Sequence, residues 1–346
     1  MTLFSGIKSE ILPGVKLSPI RHKNRQSSCD GGGGHMAEIR SVGVVGGGQM
    51  GSGIAQLAAV NGLEVWLHDS DPTALSKAHQ SISSTIQSLV SKGRLTKVLF
   101  VPVLADPLDF LTDNFLTKEK GAEAVRMLKY TSSLEDFGSV DIVIEAIVES
   151  EEVKKKLFTL LDSIVKESAI LASNTSSISI TRLASATSRP TQVIGMHFMN
   201  PPPIMKLVEI IRGANTSEDT FNATKCLAER LGKKIVCSQD FSGFIINRIL
   251  MPMINEAFHA LYTGVATKED IDAGMKLGTN HPMGPLELAD HIGLDVCLSI
   301  MKVLHAGLGD SKYAPCPLLV QYVDAGRLGR KKELDDIEAM SFISLN

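Results

Sequence analysis

Cysteine is scarce and unpatterned. The five cysteines are an odd number with no Cys-x-x-Cys pair among them, which argues against both a disulfide framework and a zinc site and leaves reduced, buried thiols as the expectation. A dominant charge is also missing. With 35 basic against 38 acidic residues the net charge is -3, so no broad electrostatic attraction draws the chain to nucleic acid. Long apolar runs are absent too. The most apolar stretch, residues 98–111, is broken by Pro102, Asp106, Pro107 and Asp109, short of the roughly 20 residues a membrane helix needs. The sequence therefore reads as a soluble protein with neither nucleic acid nor membrane as partner, and no internal repeat is visible.

What is present is a globular composition, 44% hydrophobic and 21% charged over 346 residues, longer than one core usually supports. From Arg40 the pattern is regular: an apolar run Val42 to Val45, a glycine turn, a helical stretch Met50 to Asn61, and a second run Val65 to Leu67. Further buried-strand candidates are residues 140–144, 169–172 and 192–196, with helices between them such as residues 151–165. This alternation predicts an α/β Rossmann-type domain, a mainly parallel sheet covered by helices on both faces, over residues 39–237. After about Ser238 the runs 244–261, 268–277, 285–305 and 317–325 have helical length and apolar residues at spacings of three and four. An all-helical C-terminal domain is expected over 238–330. Thr267 followed by Asp270, and Pro285 in a first turn, mark two of its helix starts. Residues 1–38, with excess Lys and Arg and four consecutive glycines before His35 and Met36, read as a flexible leader, either an organellar transit segment or the stretch before a second start. The final Ser-Leu-Asn does not match the peroxisomal Ser-Lys-Leu address, and the compartment stays open.

Gly46-Gly47-Gly48-Gln49-Met50-Gly51 follows a strand and opens a helix. In such a turn the first glycine (Gly46) permits the bend, the second (Gly48) lets backbone approach a pyrophosphate, and the third (Gly51) lets helix and strand pack closely. Phosphate then meets the free N–H groups of the helix start, at Gln49 and Met50. Asp69 ends the next strand, where a carboxylate accepts hydrogen bonds from the adenosine ribose and repels a 2′-phosphate. The cofactor is therefore read as NAD. Glu145 and Glu149 flank the carboxyl edge of a later strand, as groups near the cofactor or as charges favouring a helix start.

Residues 195–209 carry the most chemistry. His197 ends an apolar strand and meets a proline corner, and Pro203 is midway between His197 and Glu209. A chain reversing there sets the two side chains opposite each other on neighbouring strands. Oxidation of a carbinol leaves the hydroxyl proton needing an acceptor, which an imidazole oriented by a carboxylate provides. Ser173 to Ser177 place hydroxyls and an amide, Asn174, at the same edge of the sheet, to bind a ligand or to cap a helix through Ser177 or Ser179. Asn247, on a helix among apolar neighbours, needs a partner for its amide, a substrate carbonyl or backbone.

These segments in order, together with Met205 to Glu209, Gly243 to Arg248 and Pro282-Met283-Gly284-Pro285, show that residues 40–330 resemble the 3-hydroxyacyl-CoA and 3-hydroxybutyryl-CoA dehydrogenases. The resemblance implies NAD-dependent oxidation of an L-3-hydroxyacyl-CoA thioester in fatty acid metabolism, with His197 as base and Glu209 as its partner. It implies that Ser176 and Asn247 contact the reacting oxygen, that Glu149, Lys154 and Asn174 lie near the nicotinamide, and that the helical domain forms a homodimer. Two other functions stay open at this point: a dehydrogenase of a free hydroxy acid, and a NAD-binding protein without turnover. Residues 98–115 interrupt the family pattern as an insertion between Leu95-Thr96-Lys97 and its repeat Leu116-Thr117-Lys118, in a hairpin that helps hold CoA in the family. Residues 331–346 form an atypical tail.

Overall fold

The computed structural model describes residues 38–92 and 117–329, all within one compact unit. The leader up to residue 37, the insertion and the tail lie outside the described residues. An eight-stranded sheet has the order β3-β2-β1-β4-β5-β6-β7-β8. Its strands are β1 (Ser41–Val45), β2 (Glu64–His68), β3 (Leu128–Thr131), β4 (Ile142–Glu145), β5 (Ile170–Ser173), β6 (Val193–Phe198), β7 (Leu207–Arg212) and β8 (Lys234–Gln239). Neighbouring strands are parallel except for β6 against β7, so the last two strands run opposite to the first six. Strands β4, β5 and β6 are buried along their whole length, because helices cover both faces and apolar side chains are needed on each.

One face is covered by α1 (Gln49–Val60), α2 (Pro72–Lys92), α3 (Lys118–Met127) and α6 (Glu218–Arg230), whose Ile54, Ile82, Ala124 and Leu227 enter a shared core. The other carries α4 (Glu151–Ile164) and α5 (Ile180–Ala184), with Phe158, Leu161 and Leu183 packed around Phe137. Local chemistry sets several helix starts. Thr117, Ser179, Ser217 and Thr267 each accept a backbone N–H with the side chain at the cap position, an exchange that stabilises a helix end by about 1 kcal/mol.

After Gln239 the chain leaves the sheet, two residues past the expected border at 237/238. The helical domain comprises α7 (Ile246–Tyr262), α8 (Lys268–Gly278), α9 (Pro285–Ile292), α10 (Leu294–Leu308) and α11 (Pro317–Asp324). Its core joins Met251, Phe258, Leu286, Leu298, Met301 and Leu319. The single helix expected from Pro285 to His305 is two, bent by 100°. Gly293 between them has φ 102°, a backbone state that interrupts right-handed helix and that glycine adopts at little cost. Among the described residues no single helix is long and apolar enough to cross a membrane.

Candidate active site

The glycine turn is tied down by Gly46 N–H donating to the His68 carbonyl at 2.8 Å. Gly46 has φ 113°, and a Cβ there would lie 2.5 Å from the Ala146 carbonyl oxygen; a Cβ on Gly51 would lie 1.8 Å from that of Gly46. Both positions exclude a side chain by close backbone approach. Gly48 differs, since a Cβ there would meet nothing within 4 Å. It caps α1 without a side-chain hydrogen bond, and no acidic residue occupies the first turn. Gln49 and Met50 follow with their N–H groups at the positive end of the helix dipole, so this cradle fits a pyrophosphate. Asp69 sits beside it. One carboxylate oxygen accepts the Gly47 N–H at 2.7 Å and the other the Asp71 N–H at 2.9 Å, leaving lone pairs on each for ribose hydroxyls.

At the ends of β4 and β5 the acidic residues are joined. Glu145, fully buried, accepts from the Lys154 ammonium at 2.5 Å, the Ile147 N–H at 2.7 Å and the Ser173 hydroxyl at 2.6 Å. Lys154, 1% exposed, also reaches Glu149 at 3.3 Å. The Glu149 Oε1 accepts from the Thr175 and Ser177 hydroxyls at 2.6 and 3.0 Å and from the Ser176 and Ser177 N–H groups at 2.9 and 3.1 Å. Burial alone would raise its carboxyl, but the Lys154 charge and these donors together hold it below the usual carboxylate range.

His197 and Glu209 are direct partners in the antiparallel β6–β7 register. The imidazole Nδ1 and the Glu209 Oε2 are 2.7 Å apart, with both residues buried. The Glu209 Oε1 accepts the N–H groups of Ile245 and Ile246 at 3.0 and 3.1 Å. The carboxylate thus also holds the start of α7, one residue before Asn247. The amide of Asn247 donates to the Ser176 carbonyl at 3.3 Å. The Asn174 side-chain oxygen accepts the Phe198 N–H at 2.8 Å. Phe244, at φ 50°, sets its ring edge-on to His197 at 5.8 Å.

The contacts close on themselves. Glu149 holds Ser176, Ser176 meets Asn247, Asn247 follows the amides that Glu209 holds, Glu209 holds His197, and the next residue, Phe198, is held by Asn174. Sequence reasoning missed Asp240 in this assembly. Its carboxylate accepts the Ser179 hydroxyl at 2.7 Å and the Ile180 and Thr181 N–H groups at 2.9 and 2.8 Å. It pins the strand-to-helix linker to the loop that carries Ser176. A carboxylate whose partners lie about 60 residues upstream leaves no local signal. Phe244 lies inside the segment Gly243 to Arg248 but was given no role of its own.

Comparison with known proteins meets this geometry from outside. Residues 41–241 match the model of the 3-hydroxyacyl-CoA dehydrogenase NAD binding domain, and residues 243–335 that of the 3-hydroxyacyl-CoA dehydrogenase C-terminal domain. The chain is 52% identical over 297 residues to a 3-hydroxybutyryl-CoA dehydrogenase of Bradyrhizobium diazoefficiens, covering 86% of this chain and 94% of that one. It is 50% identical over 294 residues to a probable 3-hydroxybutyryl-CoA dehydrogenase of Bacillus subtilis, covering 85% and 95%. The crystal structure of (S)-3-hydroxybutyryl-CoA dehydrogenase from Ralstonia eutropha superposes with a TM-score of 0.77 at 46% identity, covering 85% of this chain and 97% of that one.

Proposed function

Because the chain belongs to the 3-hydroxyacyl-CoA dehydrogenase family of NAD-dependent oxidoreductases, we propose that it reversibly oxidises an L-3-hydroxyacyl-CoA to the 3-ketoacyl-CoA, in fatty acid metabolism. The 3-hydroxybutyryl-CoA and acetoacetyl-CoA pair is the first choice of substrate, given the names of the relatives. One observation carries the mechanism: the 2.7 Å contact of His197 Nδ1 with a Glu209 carboxylate whose other oxygen is held by two amides. A carboxylate accepts only, so Nδ1 carries its hydrogen toward Glu209 and Nε2 keeps its lone pair. His197 Nε2 takes the proton of the 3-hydroxyl, and the C3–H bond breaks as the carbonyl forms. NAD, when bound, supplies the acceptor for the hydride. Glu209 orients the ring and stabilises the imidazolium that results. Ser176 and Asn247 are positioned by Glu149 and by the start of α7 to contact the reacting oxygen. The glycine turn, Asp69, Glu149, Lys154 and Asn174 serve the cofactor.

Charge supports a thioester over a free hydroxy acid. The groups joined around His197 are a hydroxyl, an amide and the carboxylates of Glu149 and Glu209, while Lys154 is buried and bound to Glu145 and Glu149. A free acid would bring a third carboxylate into that company, whereas the thioester is neutral at its reacting end. A homodimer through the helical domain is supported by Ile249, Tyr262, Val265 and Leu277, all at least half exposed, which sedimentation of the purified protein checks. The activity is tested by following NADH absorbance with acetoacetyl-CoA and, separately, free acetoacetate. Oxidation with the thioester alone is expected. Saturation by acetoacetate would overturn the substrate class, and silence with both despite NADH binding would overturn the activity.

A further inference from the structure

The corner between β6 and β7 is poor in hydrogen-bond donors. Pro201, Pro202 and Pro203 present three carbonyls and no N–H, and the N–H groups of Ile204 and Met205 both go to the Pro201 carbonyl, each at 3.0 Å. The carbonyls of Pro202 and Met205 are met from elsewhere. Lys233, 7% exposed, donates its ammonium to the first at 2.6 Å and to the second at 2.9 Å. No carboxylate forms an ion pair with it among the described residues, and burial pushes it down to about 8. A cation kept from water without a counter-ion is costly, so its two carbonyl contacts are what the position supplies.

Lys233 projects from a rigid turn between α6 and β8. Its own N–H donates to the Ala228 carbonyl at 3.0 Å, and the next N–H, that of Lys234, reaches the Lys206 carbonyl at 2.7 Å. The corner also rests on α1. A Cβ added to Gly53 would lie 2.9 Å from Pro202 and 3.2 Å from Pro203. The corner is therefore held by a lysine and packed on the helix that follows the glycine turn, while its two ends lead to His197 and Glu209.

We propose that Lys233 is a positioning residue for proton transfer, clamping the proline corner so that the His197–Glu209 pair stays in step with the cofactor helix. This rests on His197 being the base. Lys233 touches neither substrate nor cofactor in this role. Its effect passes through the corner, where a displacement of about 1 Å costs up to about 100-fold in rate.

The test uses the full chain with acetoacetyl-CoA and NADH, comparing Lys233→Met, which fills the space without donors, with Lys233→Gln, which keeps two N–H donors on a shorter, neutral chain. K233M is expected to lower kcat by about 10- to 100-fold and to displace the acid limb of the kcat/KM pH profile, with the NADH Kd changed by less than about threefold. K233Q is expected to recover part of the loss. A wild-type kcat and pH profile with only a lower Tm would overturn the proposal. If K233M does not accumulate as folded protein, K233Q and Gly53→Ala decide. G53A pushes the same corner from the α1 side with Lys233 intact, and wild-type kinetics in both would overturn it equally. His197→Gln is run alongside. Retained turnover in H197Q would remove the base assignment itself, whereas an inactive H197Q beside an unaffected K233M would remove only the role of Lys233.

Discussion

Glu145 and Glu209 are both wholly withdrawn from water, each at the edge of the same sheet, yet they are satisfied in different ways. Glu145 faces a fixed cation, Lys154, and is completed by a serine hydroxyl and one amide. Glu209 faces an imidazole and two amides, with no permanent positive charge in contact among the described residues. A buried carboxylate neutralised by a lysine is settled in every step of a reaction, so it serves geometry. One that faces a histidine gains a counter-charge only when that histidine holds a proton. The first arrangement is permanent, and the second is completed only by a protonated imidazole.

This contrast breaks first at Lys154. Lys154→Met strands the charge of Glu145 and is expected to cost about 3–5 kcal/mol of stability, read from the denaturation midpoint. A loss below about 1 kcal/mol would mean that the pair is not the fixed element described. His197→Gln is expected to do the opposite, lowering kcat by at least ~100-fold while NADH binding is nearly unchanged. An equal fall in cofactor affinity would point to misfolding and sink the assignment. Glu209→Gln keeps an oxygen for the helix amides but removes the charge. Its kcat is expected to fall by about 10- to 100-fold, less than for loss of the base itself; a change within about twofold would show that orientation alone matters.

The smallest effect is expected at Glu149, between the two extremes. Its folded-state carboxyl is held below the ordinary value of 4.5, so protonation favours the unfolded chain. Its contribution is complete above the unfolded value and is lost as pH falls through the lower folded one. Glu149→Gln should therefore lower stability modestly at neutral pH and flatten the acid-side fall, the difference from wild type shrinking as pH drops, as thermal melts from pH 7 downward would show. An unchanged acid slope would assign the fall to other carboxylates.

Where a feature depended on neighbours in the chain, it was legible. Gly46, Gly48 and Gly51 with Asp69 announce themselves because turn, helix start and strand end are contiguous, and the buried strands β1, β4 and β5 are unbroken apolar runs. His197 and Glu209 were also readable, for a special reason: an antiparallel corner converts equal spacing about Pro203 into cross-strand contact. The edge strands β3 and β8 escaped notice. Neither is buried along its length, and β8 is exposed or half-buried at every position, so neither carries the apolar run by which the central strands are found. The break at Gly293 was missed because apolar periodicity continues on both sides of it.

Local patterns in the chain were enough for the class of sheet, the glycine turn, the pairing of His197 with Glu209, and the resemblance that names the family. All of these rest on periodicity, turn chemistry or ordered motifs along the chain. Tertiary structure alone decided that Glu209 holds the first amides of α7 and thereby Asn247, that Asp240 pins the linker to the Ser176 loop, and that Lys233 grips the proline corner. Their partners lie 28 to 61 residues away in sequence. No local pattern encodes such distances, because a hydrogen bond depends on where folding brings two atoms and not on the number of residues between them.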